Sequence, residues 1–222
     1  MIGDYTLMFR PVLKTIGAAA IMLMFAAQIS AAQEVGAVSK LVGLAKLTHR
    51  GNESAVVVAM PVSIGDKIRT MKNAQVSVMF RDGSSAELGE SSYLSIDSYA
   101  LAGSTRTAGL LALWAGRLRT IVKVATGSEP SFEVHTPNAV VAVRGTDFET
   151  AFIDNRPCPE DHSCMRYTTV GVSKGIVAVS NPSNPAPPTE VREGYETTVA
   201  CESAATSPAP LGMEDLGAPG YH

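Results

Sequence analysis

The segment from Phe132 to Phe152, FEVHTPNAVVAVRGTDFETAF, limits what the chain can become more than any other stretch. Three strand-like pieces, Phe132–His135, Ala139–Val143 and Asp147–Phe152, are separated by Thr136-Pro137-Asn138 and by Arg144-Gly145-Thr146. Pro137 removes a backbone donor, fixes its own φ and drives Thr136 towards extended geometry. Gly145 is expected to supply a positive φ in a tight turn. Ala-Val-Val-Ala-Val is apolar without alternation, the pattern of a strand covered on both faces. The core is therefore expected against this segment, with Val140, Val141 and Val143 carrying stability.

The remainder reads the same way. Val38, Leu41, Leu44 and Leu47 are interleaved with Gly36, Gly43 and Gly51, giving two short strands and turns. Val56–Met60 ends at Pro61, and Gly65-Asp66 opens a strand that reaches Thr70. In Gln75–Phe80 the residues Val76, Val78 and Phe80 share one face, and Asp82-Gly83 is a hairpin signal. Tyr93, Leu94 and Ile96 form a further strand. Leu110–Thr120 reads as strand, turn at Gly116, strand, in preference to a helix. Tyr167–Val172 and Gly175–Ser180 read as a hairpin about Ser173-Lys174, and Glu196–Val199 closes the series. Short strands at about ten-residue spacing, with no alternation of strand and helix, define an all-β single domain. A β-sandwich and a solenoid-like roll both fit.

The chain has 222 residues and a formal net charge of −3, enough for one ordinary domain. No basic stripe is present, which argues against nucleic acid as a partner. Arg10 and Lys14 precede an apolar run from Ile16 to Ile29, followed by Ser30-Ala31-Ala32. This is the pattern of a secretory signal peptide over residues 1–32, with cleavage after Ala32. The apolar run is short of the roughly 20 residues a spanning helix needs, so the membrane is expected as a partner only if the segment stays uncleaved. The domain is then expected over 33–201 in the periplasm or outside the cell, with a disordered tail over 202–222, where little is left to bury. In an oxidising compartment Cys158 and Cys164 are expected to close a small disulfide loop, leaving Cys201 unpaired unless it pairs with one of them.

Candidate chemistry is sparse. Gly171-Val172-Ser173-Lys174-Gly175 matches the G-x-S-x-G spacing, but that motif needs a helix after the serine, and Ile176–Val179 reads as a strand. Cys158, Glu160, Asp161, His162 and Cys164 are too crowded for a tetrahedral metal site. His49 and His135 lack carboxylates at a recognisable spacing. Asp66 and Asp82 sit beside turn glycines and read as turn residues. Arg144 is a candidate contact for a carboxylate partner. No catalytic residue, metal or cofactor is expected. An alternative reading is a structural or carbohydrate-binding envelope module, set back by the single Trp114 and the scarcity of aromatic residues, 6% of the chain. A serine hydrolase ranks last.

Several motifs, taken in order, resemble the FecR-type periplasmic domain. They are Gly65-Asp66-x-Ile68-x-Thr70, Phe80-x-Asp82-Gly83-Ser84, Leu94-x-Ile96 and Gly116-Arg117-Leu118. The closing signature is Phe132-x-Val134-x-Thr136-Pro137, leading into Val143-x-Gly145-Thr146-x-Phe148. The later Gly175-Ile176-Val177 fits as well, so the resemblance runs from about Val35 to Val199. It implies that Gly65, Asp66, Thr70, Asp82, Gly83, Thr136, Pro137, Gly145 and Thr146 are structural, and that the role is signalling across the cell envelope. Known members sense the occupancy of a siderophore transporter and control a sigma factor through a cytoplasmic arm. Here only some 14 residues precede the apolar run, too few to grip a sigma factor. The expectation is a stand-alone, exported, non-enzymatic domain whose partner is an envelope protein or peptide, edge-strand pairing being one mode.

Overall fold

The structure, a computed structural model, describes residues 33–124 and 132–212; the expected signal peptide over residues 1–32 lies outside them. The described residues contain seventeen strands. They are β1 (Glu34–Val42), β2 (Ala45–His49), β3 (Asn52–Ala55), β4 (Pro61–Ser63), β5 (Lys67–Thr70), β6 (Gln75–Phe80), β7 (Ser85–Leu88), β8 (Tyr93–Ala102) and β9 (Thr105–Ile121). Then come β10 (Phe132–His135), β11 (Val140–Val143), β12 (Asp147–Asp154), β13 (Arg166–Lys174), β14 (Ile176–Ser180), β15 (Thr189–Arg192), β16 (Tyr195–Ala200) and β17 (Ala209–Pro210). The domain is all-β.

The strands sort into two sheets that meet in β9. One sheet runs β4-β1-β6-β7-β9-β12-β13-β16-β17. The other runs β3-β2-β5-β8-β9-β10-β11-β14-β15. Pairing is antiparallel except between β9 and β10, where Glu133 lies opposite Leu110. The chain returns repeatedly from one sheet to the other, so sandwich and roll describe the same object. One continuous core includes Val76, Val78, Phe80 and Leu118 from the first sheet and Ile68, Leu94, Leu111, Val134 and Val141 from the second. Each such side chain contributes about 1.5–3 kcal/mol by leaving water. The strand-like stretch around Ala139–Val143 is β11, with Val141 and Val143 fully in the core and Val140 half-buried.

Leu110–Thr120 is not two strands around a turn. It is one long strand whose first part pairs with β8 and whose last part, from Gly116, pairs with β7 and β12. At the transfer point Gly116 has φ +81°. A β-carbon there would lie 2.2 Å from Ser92 Oγ. Ser92 fills that space and holds the bend, because the Arg117 amide donates to its Oγ at 3.0 Å.

Two further expectations are corrected. Gly145 does not have a positive φ. It is needed because a β-carbon there would lie 2.5 Å from Val124 Cγ2, where the chain crosses from β11 to β12. Ser173-Lys174 is not a hairpin tip either, since β13 and β14 belong to different sheets and Gly175 marks the corner between them. Residues 202–212, expected within a disordered tail, in part follow β16. Thr206 bonds to Thr197 and Thr198, and Ala209 pairs with Glu196. Residues 213–222 lie outside the described residues.

The cysteine pairing also differs from the expectation. Cys164 bonds to Cys201, and Cys158 is free and buried against them. The reason is register. Tyr167 pairs with Ala200 across β13 and β16, which brings the residue after Ala200 beside the start of β13, and the Cys201 amide donates to the Arg166 carbonyl at 3.1 Å. A bond between Cys158 and Cys164 would close only a local loop, whereas the observed one spans a separation of 37 residues. Reduction of the oxidised domain should therefore cost about 2–4 kcal/mol in urea unfolding. Peptide mapping without reductant should recover Cys164 joined to Cys201, with Cys158 alkylated only after unfolding.

The bend in β9 gives a second prediction. Gly116→Ala should destabilise the domain by about 2 kcal/mol or more, from left-handed backbone strain together with the clash. Adding Ser92→Gly should return part of the loss in the same melting experiment, because it removes the Oγ and Cβ the new methyl strikes and leaves only the Cα at 2.7 Å.

Candidate functional site

Most polar side chains singled out in the sequence prove to be internal struts. Asp82 stays in its turn, bonded to the Ser84 amide as expected, and its side chain also reaches inward, where it is 4% exposed and ion-paired with Arg106, itself 1% exposed. Tyr99 Oη donates to Asp82 Oδ1 at 2.7 Å, the Ser84 amide donates to the same oxygen at 3.0 Å, and Ser84 Oγ donates to Oδ2 at 2.8 Å. Arg106 also donates to the Lys123 carbonyl at 2.9 Å and sits 5.2 Å over the Phe132 ring. Tyr99 is stacked on Phe80 with centroids 4.4 Å apart, and Phe132 meets it edge-on at 6.3 Å. The cluster ties the β6–β7 hairpin of one sheet to β8, β9 and β10 of the other. Nothing in the sequence marked Arg106, a lone cation between two threonines, as the partner of Asp82.

Burial by itself would raise the Asp82 carboxyl. The Ser84 amide, the Tyr99 and Ser84 hydroxyls and the Arg106 charge outweigh it and hold the group below its ordinary value of 3.8. Burial and the hydrogen bond to Asp82 push the Tyr99 phenol well above its ordinary value.

Asp66 is likewise buried. It accepts from the Ser63 amide at 2.8 Å, and its other oxygen meets His49 Nδ1 at 2.5 Å. Thr70 Oγ1 donates to the Gly89 carbonyl at 2.6 Å and accepts from the Ser92 amide at 2.8 Å. Thr136 accepts from the Ala139 amide at 2.9 Å and meets Thr168 Oγ1 at 2.7 Å. Asn138, inside the turn with the exposed Pro137, donates to the Val199 carbonyl at 2.8 Å. Gly65 and Gly83 have positive φ in turns, and Thr146 pairs with Val122 through its backbone.

These groups are taken up by contacts within the fold. Ser173 lies on a strand and is followed by another strand. Among the described residues no three His, Cys, Asp or Glu side chains converge as metal ligands, and Cys164 is committed to its disulfide. A shallow depression of about 140 Å³ beside Asn181, Asn184 and Pro187 is well below the size of ordinary ligand pockets. Arg144 is exposed and makes no ion pair within 4.0 Å among the described residues.

The accessible features are the sheet edges. β4 is three residues long and begins with Pro61, and β17 is two residues and ends with Pro210, both blunted in the way natural edges are. β3 differs. Its four residues, Asn52 to Ala55, contain no proline, are all exposed and pair only with β2. Beyond it Val57 and Val58 are exposed, as is Leu44 on the neighbouring strand connection. An open backbone edge with aliphatic side chains beside it can accept a further strand.

The architecture is thus a two-sheet all-β domain whose apolar core is cross-braced by buried polar groups. The FecR protein family model matches residues 66–178, just over half of the chain, and the chain belongs to that family. Solved structures similar to it include two crystal structures of a candidate anti-sigma factor from Parabacteroides distasonis, at 20% and 19% identity and TM-scores of 0.47 and 0.49. In both, the match covers 65% of this chain and 59% of that protein. No curated protein matches.

The Asp82 cluster yields a prediction with a defined sign. A carboxylate held low in the folded state adds stability that is fully present above the ordinary value of 3.8 and is lost as pH falls through the lower folded value. Asp82→Asn should cost about 3–5 kcal/mol at neutral pH, because it leaves a buried guanidinium uncompensated. The difference from wild type in urea unfolding should shrink on acidification below that ordinary value.

Proposed function

We propose that this chain is an exported, non-enzymatic FecR domain that recognises an envelope protein or peptide as part of signalling across the cell envelope. The observation that carries the reading is the division of polar groups: Asp66, Thr70, Asp82, Thr136 and Thr146 of the family motifs are buried in structural contacts, and β3 is an open, fully exposed edge. Family membership supports the signalling role. The disulfide between Cys164 and Cys201 is in keeping with an oxidising compartment.

The partner's extended segment would pair with the outer edge of β3 and place apolar side chains against Val57, Val58 and Leu44. Control of a sigma factor by this chain is not part of the reading.

In cells, photo-crosslinking from position 54 should trap a defined envelope protein. Ala55→Pro, which removes an outward-facing edge donor because the ladder bonds to β2 fall at Ser54 and Val56, and the paired change Val57→Asp with Val58→Asp should each reduce that product about tenfold or more, with melting temperatures held near wild type. Undiminished crosslinking in both variants would remove β3 as the docking edge. Catalytic turnover abolished by Ser173→Ala would refute the non-enzymatic assignment.

A further inference from the structure

A second surface stands apart from β3, on the outward side of the middle strands β5, β8 and β9. Leu94 and Ile96 point into the core, so Ser95 between them points outward, and Leu111 and Leu113 place Ala112 outward in the same way. Ser95 and Ala112 lie opposite each other in register. Yet they are only 3% and 6% exposed, so another group covers them. Over Ser95 that group is Trp114, while Ala112 has His135 opposite it on β10. Trp114 is the extra residue of a β-bulge, since Tyr93 pairs with Ala115 and Leu94 with Leu113. Its indole Nε1 donates to Ser95 Oγ at 3.1 Å. The ring is therefore drawn down along the sheet over Ser95, while the side chain remains exposed, at 51% for the residue.

The flank of this ring is cationic. Lys67 lies opposite Ser95 and Arg69 opposite Tyr93, and the Arg69 guanidinium rests 4.4 Å over the Tyr93 ring. Both cations are exposed, and among the described residues neither makes an ion pair within 4.0 Å. The opposite sheet is unlike this: there Arg117 pairs with Glu149 at 2.7 Å and Arg119 with Asp147 at 2.9 Å. Beyond Ala112 on the far side, His135 is closed on Glu133 at 2.6 Å.

We propose that Trp114, Lys67 and Arg69 form a binding platform for an acidic oligosaccharide whose pyranose rings carry carboxylates. The apolar C–H face of a sugar ring stacks on an indole held flat, attracted by the negative face of the π-system. A carboxylate on that or the next ring meets Lys67 or Arg69, and stacking on Tyr93 keeps the guanidinium extended and little reorganised on binding. An acidic peptide suits the surface less well. β5, β8 and β9 are hydrogen-bonded on both sides, so no backbone edge is open there for strand addition. One indole flanked by two unpaired cations also differs from the row of aromatics a long neutral glycan requires.

Trp114 is the single tryptophan of the chain, so tryptophan fluorescence, excited selectively over the tyrosines, reports on this site alone. Titration with a short oligogalacturonate should shift the emission saturably. A neutral cello-oligosaccharide of equal length and an oligoglutamate peptide should not. By calorimetry, Trp114→Ala should abolish binding, Trp114→Phe should retain part of it, and the paired change Lys67→Gln with Arg69→Gln should weaken it about tenfold or more. Thermal melting of each variant near the wild-type temperature shows that the fold is kept. No saturable response to oligogalacturonate, equal binding of the neutral sugar or of oligoglutamate, or undiminished binding by a folded Trp114→Ala protein would each overturn the proposal.

Discussion

Strand β9 has to serve both sheets, and the rest of the architecture depends on how it does so. Its first part completes the hydrogen bonding of β8 and β10, and its last part that of β7 and β12. A strand can change sheets only where its backbone bends without a side chain in the way, and Gly116 seated on Ser92 provides that point. The adjoining constraint is the Arg106–Asp82 pair, which joins the first part of β9 to a hairpin of the opposite sheet. If either gave way, two half-covered sheets would each expose an apolar face.

The same economy governs the buried polar residues the sequence singles out. A buried carboxylate is costly unless it is fully paired. Asp82 has Arg106, Tyr99 and Ser84, and Asp66 has His49 and the Ser63 amide. Groups satisfied in this way cross-brace the sheets and are not available to a substrate. The two proposed recognition surfaces are the exposed edge at β3 and the face around Trp114. These use different physics: backbone hydrogen bonds in the first case, ring stacking and charge in the second.

Much of this was legible along the chain because it depends on local pattern. Alternation marked β6, Asp82-Gly83 marked the β6–β7 hairpin, and Thr136-Pro137-Asn138 marked the turn between β10 and β11. The ordered motifs pointed to the FecR family. The functional surfaces were less legible. An open edge is defined by what does not pair with it, and β3 looks like any other short polar strand. Trp114 weighed against a sugar site when counted as one aromatic; its meaning comes from Ser95, Ala112, Lys67 and Arg69 arriving around it from three strands.

The sequence by itself determined the strand content, most turns and the apolar face of each strand, since periodicity and φ preference act within a few residues. Tertiary structure alone decided which strands are neighbours, and everything that follows from neighbourhood. It chose Cys201 over Cys158 for Cys164 because β13 pairs with β16, and it joined Asp82 to Arg106 across 24 residues. It also made Gly145 a point of close approach to Val124 instead of a positive-φ turn. Contacts between residues distant along the chain are set by register, and register is fixed only when the two sheets close on a common core.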